Sequence, residues 1–181
     1  MSRKTLSNAR SAGVTLLELL TVIVVIAILF TMLLSVGSNM MARMESARCM
    51  TNLRALYVAT ELYVQDHRQW PQISTQSITV AGSDQYARDW IAVLTPYKVS
   101  EETWHCPTVQ KTMTQGEQAK QPSLKRIDYY PTTFDDKEIT PHRWATQPWF
   151  IERGAVHGRG NLIIFTDGSI KSLDDMLTKI K

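Results

Sequence analysis

Three sets of residues have the types and spacing to do chemistry. They are Glu18 inside an apolar run, the pair Cys49 and Cys106, and His157 with nine residues between it and Asp167-Gly168. From Val14 to Val36 there are 23 residues, and Glu18 is the one ionisable side chain among them. A carboxylate in hydrocarbon costs roughly 2.5 to 3.5 kcal/mol at the centre of a span and less near its end, so its presence implies a function and a partner. His157 and Asp167 offer a general base or a metal ligand. A hairpin explains them more simply: Asn161 to Thr166 reads as a strand, and Asp167-Gly168 between apolar runs reads as a type I′ turn. His157 is then expected to hydrogen-bond a loop or the Asp167 carboxylate. A metal site wants three or four converging ligands, and His67, His105 and His142 have no metal spacing between them. Neither a catalytic residue nor a metal is therefore assigned. There is no phosphate-cradling glycine loop and no Gly-x-Ser-x-Gly nucleophile motif.

The element that positions Glu18 is an apolar helix about 35 Å long, enough to span a bilayer. Arg3, Lys4 and Arg10 precede it with no acid among them, which keeps this end cytoplasmic and places the rest of the chain across the membrane. A secretory signal peptide has a shorter apolar region closed by small residues. An uncleaved anchor fits the length but leaves Glu18, with Gly13 just outside the run, unexplained. The formal net charge of +3 is too small to imply nucleic acid, and the three leader cations account for it.

At these residues the chain resembles the type IV pilins and the pseudopilins of type II secretion systems. Their signal is a basic leader, a glycine before the scissile bond, an apolar first mature residue and a glutamate at the mature fifth position. Those roles fall on Gly13, Val14 and Glu18, with Val14 standing where the family usually has phenylalanine. The resemblance implies cleavage between Gly13 and Val14 by a prepilin peptidase, N-methylation of Val14, and assembly through Glu18. It also implies other pilin or pseudopilin subunits and an inner-membrane assembly platform as partners. The expected location is the bacterial inner membrane, single-pass, with the C-terminal domain periplasmic until a filament forms. The function implied is that of a structural subunit, a pseudopilin. The alternatives are a type IV pilin for adhesion, motility or DNA uptake, and a membrane-anchored periplasmic binding protein or enzyme. No cofactor is expected. Calcium, which loops of some major pseudopilins bind, could be held only by Asp135, Asp136 and Glu138 or by Asp174 and Asp175, and neither cluster has the alternating ligand pattern of a calcium loop.

The fold expected is α+β, a long N-terminal helix packed on a small antiparallel sheet. Residues 1–13 form the leader, 14–36 the span, 37–66 an amphipathic continuation of the helix, and 67–181 the globular domain. Ser38 to Asp66 lacks proline and glycine, and Met40, Met44, Ala47, Met50, Leu53, Tyr57 and Thr60 recur at helical steps. Cys49, Leu56 and Tyr63 run beside them. Gly37-Ser38 is the expected place for any bend. A short helix is expected from Ser83 or Asp84, with Tyr86, Trp90, Ile91, Val93 and Leu94 on one face and Pro96 ending it. Lys111 to Arg126 and Asp135 to Pro148 read as loops, with Trp144 and Trp149 covering core; Ile127 to Phe134 reads as a strand. The His157 to Gly168 spacing resembles the His-x9-Asp-Gly ending of a group of prepilin-like proteins of planctomycete and verrucomicrobial kind. Cys49 to Arg54 and His105-Cys106-Pro107 look like the same group. On the oxidising side of a membrane, Cys49 and Cys106 could form a disulfide or stay as buried thiols. The bridge is the favoured reading, closing a loop of about 57 residues for roughly 4 kcal/mol on the chain-entropy model.

Overall fold

The computed structural model describes residues 15–75, 83–114, 125–157 and 160–178, for 33–39, 83, 112 and 114 the backbone alone. The cleavage site at Gly13 and Val14 lies outside these residues. Helix α1 runs from Leu16 to His67, 52 residues, and its assignment is continuous through Gly37 and Ser38. Two compact units divide the chain, residues 1–41 and 42–181. In the first, every described side chain of α1 is exposed. No helix among the described residues is long and apolar enough to cross a membrane. The expected span, residues 14–36, extends beyond both ends of the described side chains 15–32.

In the second unit α1 turns one face to a core. Cys49, Leu53, Leu56, Ala59, Thr60 and Val64 are buried, and Met50, Tyr57 and Tyr63 pack at the margin. The expected stripe starts too early: Met40, Met44 and Ala47 are exposed, and burial begins at Cys49. The helix ends where Arg68 takes a left-handed conformation (φ 57°) and donates its N–H to the Val64 carbonyl at 2.8 Å, a cap usually supplied by glycine. Helix α2, Ser83–Leu94, buries Tyr86, Ala87, Trp90 and Leu94 at helical spacing. Pro96 does not stop the chain bluntly but sits in a 3-10 turn, Thr95–Tyr97. A second 3-10 turn, Glu101–Trp104, buries Trp104. Helix α3 is Pro107–Thr114, so the expected loop from Lys111 is helical at its start; residues 115–124 lie outside the described set.

Four strands follow: β1 Tyr129–Pro131, β2 Pro148–Glu152, β3 Leu162–Phe165 and β4 Ile170–Ser172. They pair in sequence order, all antiparallel. Pro131 is tolerated because β1 is an edge. An irregular register between Pro148 and Phe150 against β3 accompanies two successive buried residues, Trp149 and Phe150, which strict alternation would forbid. Trp149 covers core as expected, but from within a strand. Trp144 does not: it is 59% exposed, under the Arg143 guanidinium. Trp70 centres an aromatic cluster, its ring centroid 4.7 Å from Phe134, 5.0 Å from Trp149 and 6.1 Å from Trp90. Against this cluster the Tyr57 ring of α1 packs tilted on Trp149, centroids 4.8 Å apart, and its hydroxyl donates to the Thr166 carbonyl at 2.8 Å. Helix α4, Leu173–Thr178, closes the described chain.

The Asp167-Gly168 turn is a hairpin, but not of the expected type. Gly168 alone has positive φ (73°), whereas type I′ needs it at both central residues. Gly168 donates to the Phe165 carbonyl at 2.8 Å, and the Phe165 N–H donates to the Ser169 carbonyl at 3.0 Å. This is a three-residue loop ending in a left-handed glycine. The Asp167 carboxylate accepts the Ser169 N–H at 2.9 Å, and the Ser169 side chain and then this N–H lower its pKa from the ordinary carboxylate value.

Candidate functional site

Two places in the chain gather the singled-out residues. At the N-terminus, Thr15 precedes the first turn of α1, and its Oγ1 accepts the Glu18 N–H at 3.2 Å while its carbonyl accepts the Leu19 N–H at 3.1 Å. Thr15 is thus the N-cap and Glu18 the third helical residue, the Thr-x-x-Glu spacing of a capping box. The negative side chain also sits where the helix dipole favours it. The sequence reading missed this local role, although the spacing was there to be read.

The second place is buried. Cys49 comes from α1, Cys106 from the residue before α3, Glu152 from the end of β2, and His157 from the connection to β3. Cys106 caps α3: its carbonyl accepts the Gln110 N–H at 2.9 Å, and Pro107 follows at the position where a missing N–H costs nothing. The Cys106 N–H donates to the Asp128 carboxylate at 2.9 Å. Asp128, wholly buried, also accepts from Arg126 at 3.1 and 3.3 Å and exchanges backbone bonds with Trp104 and Arg153. The segment bearing Cys106 is thereby fixed to the start of the sheet.

Cys49 and Cys106 are free thiols with their sulfurs 2.7 Å apart. His157 Nε2 lies 3.6 Å from Cys106 Sγ and 3.0 Å from Glu152 Oε1. Glu152 Oε2 accepts the Leu162 N–H at 3.3 Å, and Asn161 donates to the Glu152 carbonyl at 2.8 Å. One ligand atom from each of Cys49, Cys106, Glu152 and His157 falls within 4.8 Å of the others. Glu152 is 1% exposed and the His157 side chain 5%. Proximity couples the titrations: contact with Cys49, together with the His157 ring, holds the Cys106 thiol below its ordinary pKa, while Cys106 and burial push Cys49 up. Cys106 and then Glu152 raise His157.

Cysteine, histidine and glutamate in contact invite a nucleophilic reading, but a relay needs the base to face the nucleophile with one nitrogen and its orienting carboxylate with the other. Here Nε2 alone faces both. The expected partner of His157, Asp167, is in the distal turn, bonded to Ser169. Glu152, the carboxylate His157 does meet, was not singled out from sequence; its one signal is an acid ending the strand-like run Trp149-Phe150-Ile151. The Asp135 carboxylate accepts the Lys137 N–H, Glu138 pairs with Arg68 at the end of α1, and Asp174 and Asp175 occupy the first turn of α4.

No curated protein and no solved structure matches the chain. Residues 8–34 match the prokaryotic N-terminal methylation motif, a segment that contains Gly13, Val14, Thr15 and Glu18. At its N-terminus the chain thus carries the prepilin-type signal of type IV pilin-like and pseudopilin-like proteins.

Proposed function

We propose that the protein is a pseudopilin, a structural subunit whose work is assembly into a type II secretion pseudopilus or a related filament. The observation that carries the reading is the methylation motif over residues 8–34 coinciding with the start of α1 and its Thr15 cap. The apolar run would hold the subunit in the bacterial inner membrane, leader inside and sheet domain outside. Prepilin peptidase would cut the Gly13–Val14 bond, freeing a new α-amine that is methylated. An assembly platform would then extract subunits so that apolar helices exchange lipid for one another. Type IV pilin helices often carry a proline inside the apolar run; Val22 to Val36 has none, which favours a pseudopilin.

Mass spectrometry of the protein from its native host tests processing. The expected mature chain starts at Val14 with one added methyl group, and Gly13 replaced by a bulky residue leaves the precursor uncut. Intact Met1 leader on filament-associated protein would overturn the reading.

A further inference from the structure

We propose that Cys49, Cys106, His157 and Glu152 form a closed structural site for a zinc-class divalent cation. This goes beyond the assembly reading and does not depend on it. Three or four converging ligands is the criterion that the spacing of histidines in the sequence fails to meet. The fold meets it by bringing four donors from four separate parts of the chain within 4.8 Å. The set is two sulfurs, one imidazole nitrogen and one carboxylate oxygen, which suits zinc and not calcium.

Orientation supports the assignment. His157 points one nitrogen, Nε2, at both Cys106 Sγ and Glu152 Oε1, so that nitrogen, once deprotonated, faces the space those groups share. With metal–sulfur and metal–nitrogen bonds of usual length, a tetrahedral site separates sulfur from nitrogen by roughly 3.6 Å and nitrogen from oxygen by roughly 3.4 Å. The observed separations are 3.6 and 3.0 Å. The sulfurs, 2.7 Å apart, would have to spread by about 1 Å to the roughly 3.8 Å of such a site. An outer layer is present as well: the Leu162 N–H on Glu152 Oε2 orients the carboxylate, and the Asn161 amide on the Glu152 carbonyl holds the backbone that carries it.

The competing account is a disulfide between the two cysteines. It explains two of the four residues. It leaves a buried glutamate and a nearly buried histidine beside the bridge, and a buried ion pair by itself gives little or no net stability over apolar side chains. A cation uses all four. Loading it displaces one proton from each thiol that still holds one and the Nε2 proton of His157 to solvent, leaving a neutral ring protonated at Nδ1, with no change in oxidation state. All four ligand residues are buried or nearly so, so no open position remains for substrate, and the role is structural. The cation would tie α1, the start of α3 and the β2–β3 connection together.

The test uses full-length protein purified in detergent from membranes, with thiols trapped on lysis in one portion. The expected result is about one zinc per chain by elemental analysis and two alkylatable thiols after chelation in denaturant without reductant. Cobalt(II) added to chelated protein should give tetrahedral visible bands and thiolate charge transfer. His157→Ala should weaken zinc binding more than about tenfold, and His157→Cys should restore it with stronger charge transfer. Absence of any alkylatable thiol in the trapped sample, meaning a disulfide, would overturn the proposal. So would two free thiols that bind neither zinc nor cobalt. The mass of the same sample reports whether the chain starts at Val14, so failure of the metal site and failure of the assembly reading are told apart.

Discussion

Asp128 has no exposed surface, yet its carboxylate holds the backbone of Cys106 and the guanidinium of Arg126. Replacing it by alanine strands a buried N–H, while Arg126, partly exposed, can still reach water. Asp128→Ala should therefore cost about 2 to 3 kcal/mol, and Asp128→Asn, which keeps an acceptor oxygen, about 1 kcal/mol; urea denaturation of the outer domain measures both. Neither Asp128 nor Glu152 was legible in the sequence. An isolated acid near a strand looks the same whether it faces water or a buried amide, and only the tertiary fold decides. The N-terminal signal was legible as a motif, matched over residues 8–34, because its meaning lies in local spacing. The cysteines lay between these cases: helical period placed Cys49 on the core face, but nothing local could show that His157 would reach Cys106 instead of Asp167.

At the level of elements, periodicity served long segments well. Helix α1 ends within a residue of the expected Asp66, and α2 begins at Ser83. It failed at β2, because Pro148, a bulge and two successive buried aromatics break the alternation that marks a strand. It also failed at Trp144, since indole size alone does not say which side of a loop meets the core. The β3–β4 turn was found by composition and mistyped, because Asp-Gly serves both the two-residue hairpin and the three-residue loop with a final left-handed glycine. That difference has a measurable consequence. A Cβ on Gly168 would lie 3.6 Å from Tyr57 Cε1, ordinary contact, so the cost of substitution comes from the positive φ and not from crowding. Gly168→Ala should lower stability by about 1 to 2 kcal/mol and Gly168→Asn by less, since asparagine tolerates this region. Thermal melts of the two variants should rank in that order, whereas equal losses would locate the cost in side-chain volume.

For the whole molecule, Glu18 is the residue on which local structure and the proposed assembly would meet. Cleavage at Gly13 would leave the α-amine on Val14, four residues before Glu18 in sequence, and methylation keeps its positive charge. On the proposed assembly, Glu18 of one subunit would meet the amine of its neighbour and set axial register, because a charge left unpaired in an apolar filament core is strongly disfavoured while a pair retains much of its attraction. The structure adds a second, purely local role, since Glu18 follows Thr15 in a capping-box spacing with the Glu18 N–H on Thr15 Oγ1. The two roles separate by substitution. Glu18→Gln keeps a side chain able to complete the cap and removes the charge; Thr15→Val removes the cap acceptor and keeps the charge. If charge sets register, Glu18→Gln and Glu18→Ala should both be cleaved like wild type yet enter filaments about tenfold less or worse, a deficit of at least about 1.4 kcal/mol. Thr15→Val should lose roughly 1 kcal/mol of helix-start stability and assemble nearly normally. The measurement is the crosslinked fraction divided by the processed fraction in the same cells. Normal incorporation of Glu18→Gln beside a defect in Thr15→Val would assign the residue to the cap and leave the register to be set elsewhere in the subunit.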